Sequence, residues 1–184
     1  MQNKIIAKKD NAIRILGIDP GLQITGFGVI ESDGRSSRYI HSGNIRANSL
    51  KSDVGMPQKL GLIFRKLTEV VDEYQPDEVA VEEVFISRNA SSSLKLGHAR
   101  GAAVCAAVQT HLPVSEYSAR SVKQAIVGNG AANKEQIQHM VLRLLGLRGT
   151  LQADEADALA VALCHAHTSV LVGSQRASYS RNVA

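Results

Sequence analysis

The sequence predicts an α/β fold in which a five-stranded mixed sheet carries helices on both faces. Three apolar segments near the N-terminus, separated by turn residues, are typical of an antiparallel meander of strands. Farther along, strand patterns alternate with helix patterns, which is typical of parallel strands joined by crossover helices. The chain has 184 residues, 44% hydrophobic and 21% charged, so we expect one domain of ordinary globular composition.

Five strands are expected where apolar runs are bounded by turn residues: 13–19, 25–31, 38–46, 78–82 and 113–117. Pro20-Gly21 ends the first strand, and residues 32–34 (SDG) supply the turn between the second and the third. In the fourth strand, EVAVE, apolar residues alternate before the strand ends in two glutamates. The first three strands therefore form the meander, and the last two form the parallel part of the sheet.

Helices are expected at residues 56–74, from about 91 to 111, at 119–127, after Asn133, and from about 154 to 167. Ser91 and Ser92 are plausible caps for the second helix. Asn133, with Gln136 three residues on, predicts a capping box for a helix that buries Ile137, Met140, Val141, Leu144 and Leu145. The predicted domain is 13–168, between a leader, 1–12, and a tail, 169–184, that we expect to be disordered.

Charge and composition narrow the class of protein. The net charge of +4 suits an anionic partner such as nucleic acid. No segment approaches the ~20 consecutive apolar residues that a membrane-spanning helix needs, and the N-terminus lacks the apolar stretch of a secretion signal. Cys105 and Cys164 lie in apolar helical contexts and are interpreted as small core residues of a reducing compartment. We therefore expect a cytoplasmic protein without a membrane anchor.

Two acidic residues close predicted strands. Asp19 ends the first strand just before Pro20, where an aspartate is also common turn chemistry. Glu82 ends the fourth strand, and open α/β sheets bind their ligands at the carboxyl ends of strands. Because side chains alternate along a strand, Glu82 and Glu83 point to opposite faces. One of them is thus free to face a site and the other to face solvent.

Two more acids, Asp154 and Asp157, share one face of the last predicted helix. The helix dipole explains one acid in a first turn, but it explains less well why two share an otherwise Ala- and Leu-rich face. Glu155 lies off that face and is interpreted as a capping charge. His165 and His167 cannot share a helix face, so we interpret them as residues of a frayed helix end and not as zinc ligands.

The four carboxylates together predict a metal-dependent phosphodiesterase site. Carboxylates that are held together repel one another unless cations neutralise them. Mg²⁺ takes oxygen ligands and keeps coordination positions for water and phosphate. Two such ions about 4 Å apart can activate a water and stabilise the leaving oxygen of a phosphodiester.

Five ordered motifs resemble the RuvC family of Holliday-junction resolvases. They are GIDPG at 17–21, TGFG at 25–28, VEEVF at 81–85, LKLGHARG at 94–101 and DEADAL at 154–159. The likeness spans residues 13–168 with similar spacing. The leader before Ile13 is longer than is usual in the family, and Asp154 is the carboxylate form of a position where some relatives carry His.

The resemblance implies a ribonuclease-H-like fold, a homodimer, and hydrolysis that depends on Mg²⁺ or Mn²⁺ with two ions in each site. The substrate would be a four-way DNA junction, nicked during recombination and repair to leave 5′-phosphate and 3′-hydroxyl ends, beside a branch-migration helicase complex. The spacing of Gly97 and Gly101 permits close helix packing, within the chain or across a dimer. The family's four catalytic, metal-binding acids fall on Asp19, Glu82, Asp154 and Asp157.

Four residues are the predicted DNA contacts: Phe85, Arg88, Lys123 and Lys134. In the family, the position of Phe85 stacks on a base near the junction, although a Phe is more commonly packed in a core. Arg88 is placed to contact backbone phosphates. Lys134 lies in a first helical turn, where a cation opposes the helix dipole unless an anion such as phosphate binds there. By resemblance, Lys123 and Lys134 match the family's DNA-contacting lysines.

Three other functions stay open at this point. An actin-like kinase or ATPase shares the opening hairpin with its acid and glycines, but it typically needs two such domains, and this chain supplies one. A non-catalytic junction-binding module would be expected to lose one or more of the four acids. A related nuclease that cuts RNA–DNA hybrids would keep all four, and only its substrate would distinguish it.

Overall fold

The structure, a computed structural model, describes residues 11–50, 53–83 and 89–181, with residues 169–181 as backbone only. The strands are β1 to β5: Ile13–Asp19, Ile24–Ser32, Ser37–Arg46, Glu78–Glu82 and Val114–Tyr117. The helices are α1 to α5: Met56–Tyr74, Ala90–Gln109, Ala119–Val127, Lys134–Leu144 and Ala153–Arg181. Each strand lies within one residue of its predicted bounds, so the predicted order of elements is confirmed.

The five strands form one mixed sheet in the order β3-β2-β1-β4-β5. β1, β2 and β3 pair antiparallel, whereas β4 pairs parallel to β1 and β5 parallel to β4. Because Ile18 of β1 is paired with Val81 of β4, the two residues that follow them, Asp19 and Glu82, end adjacent strands. The predicted mixed sheet is confirmed, and its topology places these two acids side by side.

Helices cover both faces of the sheet, as predicted. Side chains alternate along β1, so Leu16 packs with α1 and α2 on one face while Ile15 packs with α3, α4 and α5 on the other. The helix α5 is the main partner of the second face, where Leu159 and Leu163 are fully buried. None of the described helices is long and apolar enough to cross a membrane.

Helix α5 differs from its prediction at its end. It begins at Ala153 as expected, but it continues to Arg181 instead of ending near His167, because no proline follows to stop it. His165 is consequently not at a frayed end: it is 5% exposed, with Nδ1 2.8 Å from the Tyr117 hydroxyl and Nε2 against the Glu78 carboxylate. The bounds of the domain remain predictions.

The cap of one helix differs from the prediction. Helix α2 is capped by Asn89, whose side chain accepts a hydrogen bond from the Ser92 N–H, and not by Ser91 or Ser92.

The burial of two helix residues also differs from the predictions. Cys105 is exposed because α2 buries only its opposite face; Cys164 is buried as expected. Leu144 is 38% exposed, since α4 packs through the narrow stripe that contains Ile137 and Val141. The capping box at Asn133 and Gln136 is confirmed.

Candidate active site

Three elements bring the four predicted acids to one end of the sheet. Asp19 ends β1, Glu82 ends β4, and Asp154 and Asp157 lie in the first turns of α5. The close approach of α5 depends on Gly26, which is paired with Asp19: a Cβ at Gly26 would lie 2.0 Å from the Asp154 carbonyl oxygen. The helix backbone therefore rests directly on the sheet beside Asp19.

The electrostatics of Asp19 show that the acids act on one another. Its pKa is raised from 3.8 to about 7, first by burial and then by the charges of Glu82, Asp157 and Asp154, while Lys134 lowers it. Ionised Asp19 is thus disfavoured in the absence of further positive charge.

Glu82 is the second acid with a raised pKa. Burial is the largest cause and the charge of Asp157 adds to it, whereas Lys123, Lys134 and a hydrogen bond with Asp19 lower the pKa. The neighbouring Glu83, which directly follows β4, is exposed.

Two lysines complete the site. Lys134 Nζ lies 2.7 Å from Asp157 Oδ2, and this hydrogen bond is the largest cause of the raised pKa of Lys134. Lys123 faces the same open pocket of about 200 Å³, which is lined by Glu82, Ala119, Val122, Lys123, Lys134, Ile137, Asp157 and Ala160. The pocket thus combines two carboxylates with two cations.

The donor set fits hard divalent cations. All four acids carry carboxylate oxygens, the ligands that such ions prefer, and the pKa of Asp19 is raised first by burial and then by the three neighbouring carboxylates, whose charge a cation would offset. Within residues 11–50, 53–83 and 89–181, no group of three or more His, Cys, Asp or Glu side chains is already arranged to hold a metal ion, and Lys134 binds an oxygen of Asp157. A cation bound at Asp157 would therefore have to compete with Lys134 for this oxygen.

Two predicted DNA contacts, Phe85 and Arg88, lie outside the described residues. Conversely, the structure shows contacts near the site that were not predicted from the sequence. Asn44 and Arg46 of β3 both contact the side chain of Gln152, just before α5, and Ser42 contacts Glu155. Their only sequence signal is the alternation of polar residues along β3.

Comparison with known proteins identifies the family. The family model described as crossover junction endodeoxyribonuclease RuvC matches residues 15–165. The chain belongs to the RuvC family. It is therefore a nuclease, and the alternatives of an actin-like kinase and of a non-catalytic module are set aside.

Individual RuvC relatives agree over most of the chain. The crossover junction endodeoxyribonuclease RuvC of Photobacterium profundum is 55% identical over 169 residues, which are 91% of this chain and 95% of the relative. The protein of the same description from Vibrio cholerae is 54% identical over 155 residues, 84% of this chain and 87% of the relative.

Solved RuvC structures share the ribonuclease-H-like fold. Thermus thermophilus RuvC in complex with a Holliday junction substrate is 35% identical, with a TM-score of 0.80 over 86% of this chain and 96% of that chain. A yeast mitochondrial Holliday junction resolvase has a TM-score of 0.61 at 11% identity, covering 89% of this chain and 82% of that chain; it supports the fold alone. The predicted fold class is confirmed.

Proposed function

We propose that this enzyme resolves four-way DNA junctions by metal-dependent hydrolysis of phosphodiesters, leaving 5′-phosphate and 3′-hydroxyl ends, in recombination and repair. The observation that carries the proposal is the meeting of four acids and two lysines at the end of the sheet, where Asp19 has a pKa of about 7. The names of the relatives and the junction bound to the Thermus protein support the choice of substrate.

In this proposal the four acids, Asp19, Glu82, Asp154 and Asp157, are the catalytic and metal-binding residues. They would hold Mg²⁺, or Mn²⁺ in its place, as two ions. Bound cations would supply an activated water and neutralise charge on the leaving oxygen. The chain's own part is to hold carboxylates from β1, β4 and α5 in one arrangement and to present Lys123 and Lys134 to a backbone phosphate. Phe85 and Arg88 are proposed to contact DNA near the crossover.

Substrate choice separates this proposal from a nuclease that cuts RNA–DNA hybrids. Wild-type protein is incubated with a four-way junction, a linear duplex, a flap and an RNA–DNA hybrid, each with Mg²⁺, Mn²⁺ or EDTA. Metal-dependent cleavage confined to the junction supports the proposal. Faster cleavage of the hybrid than of the junction would contradict the proposal and would favour the RNA–DNA hybrid as the substrate.

Lys123→Ala is expected to weaken junction binding several-fold and to reduce the slope of log K against log salt by about 1, because one phosphate contact is lost. Binding is measured in EDTA at several salt concentrations. Lys66→Ala is the matched control, since Lys66 is an exposed lysine of α1 paired with Glu69. An unchanged slope in Lys123→Ala would show that Lys123 contacts no phosphate.

We also propose that the enzyme is a homodimer that pairs through α2. Among the described residues, an apolar stripe along this helix is left uncovered: Leu94 and Val108 are 64% and 53% exposed, Cys105 is exposed, and no described atom lies within 4 Å of a Cβ built at Gly97 or Gly101. These residues recur every three or four positions and so share one helix face. A second copy suits the substrate, because a two-fold symmetric junction needs two cuts.

Gly97→Glu is expected to shift the protein from dimer to monomer and to change paired nicks into single nicks, because it places a charge in the apolar stripe. Sedimentation velocity measures the first effect and plasmid-borne junction cleavage the second. Gly61→Glu is the control, since Gly61 is also a helical glycine with open space around it, on α1. A Gly97→Glu protein that remains dimeric would exclude α2 as the interface.

The resemblance further supports work in the cytoplasm beside a junction-binding, branch-migration helicase complex, which would move the crossover to the cutting position. Co-sedimentation of the enzyme with such a complex on a junction tests this partner.

A further inference from the structure

The first turn of α5 is held from the side by strand β3. Asn44 Nδ2 donates a hydrogen bond to Gln152 Oε1 at 2.8 Å, and the Arg46 guanidinium donates to the same oxygen. Ser42 Oγ donates to Glu155 Oε2 at 3.3 Å. The three donors alternate along β3, so they lie on one face of the sheet, the face that α5 covers.

These contacts lie on either side of a proposed metal ligand. Gln152 directly precedes α5 and is tied to its first turn, because its carbonyl accepts the Ala156 N–H at 3.0 Å. Asp154 lies between Gln152 and Glu155, and Asp157 is the next residue but one after Glu155. Any tilt or fraying of this turn therefore moves two of the four acids together.

The sheet register places the contacts level with the site. Asn44 is paired with Gly26, and Gly26 is paired with Asp19, so the three residues form one row across β3, β2 and β1. Asp154 rests on the middle of that row, above Gly26. The row thus links the position of the helix start to the position of Asp19.

Of the two polar atoms of the Asn44 side-chain amide, only Nδ2 is hydrogen-bonded in the part of the chain that the structure describes. Its Oδ1 is buried and accepts no hydrogen bond from the described residues, although buried polar atoms are normally paired and an unpaired one costs stability. The amide is turned so that its NH₂ group faces Gln152 and donates to it. A cost of this kind in a folded protein is expected where the orientation serves another purpose.

We propose that Asn44 and Arg46 are positioning residues that fix the first turn of α5 through Gln152, and thereby set Asp154 and Asp157 relative to Asp19. This inference rests on the proposed function of the four acids as metal ligands. Groups that hydrogen-bond directly to metal ligands typically contribute about 10- to 100-fold to metal affinity or activity; Asn44 and Arg46 act one contact farther away, through Gln152, so we expect the lower end of this range.

The test compares Gln152→Ala with Gln152→Glu, which keeps an oxygen acceptor for both donors. Gln152→Ala is expected to weaken Mn²⁺ binding to the DNA-free protein about 10-fold. The Mn²⁺ concentration that gives half-maximal single-turnover cleavage is expected to rise by the same factor. Junction affinity in EDTA and the Tm are expected to stay close to wild type. Gln152→Glu is expected to restore both metal-dependent quantities. Gln58→Ala, at an exposed first-turn position of α1, is the control.

A double variant and the outcomes that would contradict the inference make the test decisive. Arg46→Ala combined with Gln152→Ala is expected to be no worse than Gln152→Ala alone, because both remove the same contact. Unchanged Mn²⁺ binding in Gln152→Ala, or a Gln152→Glu protein no better than Gln152→Ala, would overturn the inference while wild-type cleavage of the junction stands. Loss of Mn²⁺ affinity in Gln152→Ala, with a wild-type protein that cleaves no junction, would instead overturn the proposed substrate and leave the positioning role intact.

Discussion

Asp19→Asn is expected to abolish junction cleavage while junction binding in EDTA stays within a few-fold of wild type. The amide removes a proposed metal ligand at the centre of the acidic cluster but leaves Lys123 and Lys134 in place. Losing about 4 kcal/mol of transition-state stabilisation corresponds to roughly 10³-fold in rate. Single-turnover cleavage with Mg²⁺ and a binding titration in EDTA measure the two quantities. Asp72→Asn, at an exposed site on α1, is the control.

The same substitution is expected to stabilise the metal-free protein at high pH. The pKa of Asp19 is raised by burial and by Glu82, Asp157 and Asp154 from 3.8 to about 7, so native Asp19 holds its proton where the unfolded chain has lost it. The resulting cost grows as pH rises from 3.8 to 7 and is fully present above 7. Asp19→Asn removes this cost, so we expect the free energy of unfolding to rise by roughly 2–4 kcal/mol at pH 8 and by little at pH 4.

Urea denaturation at the two pH values measures this effect. Junction binding that disappears together with cleavage, or an Asn variant that is less stable than wild type at pH 8, would contradict the role assigned to Asp19.

Gly26→Ala is expected to lower both stability and cleavage. The added Cβ would lie 2.0 Å from the carbonyl oxygen of Asp154 and 2.6 Å from its carbonyl carbon. Because both atoms are backbone, the start of α5 has to move away from the sheet. Overpacking of this kind costs about 1–3 kcal/mol or more, and a shift of about 1 Å in catalytic groups can cost ~10²-fold in rate.

Thermal denaturation and single-turnover cleavage well below the Tm measure the two effects of Gly26→Ala. Junction binding in EDTA is expected to persist at that temperature, which separates a displaced helix from an unfolded protein. Gly61 has open space around it among the described residues. The control variant Gly61→Ala is therefore expected to leave stability unchanged or slightly raised. Full cleavage by Gly26→Ala would show that the position of α5 is not critical.

Much of the fold could be predicted because the strands are apolar segments bounded by turn residues, and both features can be seen in the sequence itself. The adjacency of Asp19 and Glu82 depends on the parallel pairing of β1 with β4, which was not predicted, because the pattern of a strand does not reveal its partner. The exposure of Cys105 and Leu144 could not be predicted, because an apolar helix position does not reveal which side its neighbours cover. His165 was misplaced for a related reason: its burial depends on Tyr117 and Glu78, which are distant in sequence.

The site could be predicted only in part. Asp154 and Asp157 share a helix face by simple spacing, but the contact of Gln152 with Arg46 joins residues 106 positions apart. No local pattern marks such a contact. The catalytic and DNA-binding roles given to individual residues, including Phe85 and Arg88, remain predictions that mutation has to test.

The most direct test of junction resolution by the carboxylate site is cleavage of an end-labelled four-way junction followed by treatment with DNA ligase. We expect wild-type enzyme with Mg²⁺ to make two symmetric nicks in strands of like polarity, and we expect ligase to seal the products without further processing. In EDTA no nick is expected. Equal cleavage in EDTA, or products that ligase cannot seal, would contradict metal-dependent hydrolysis at Asp19, Glu82, Asp154 and Asp157.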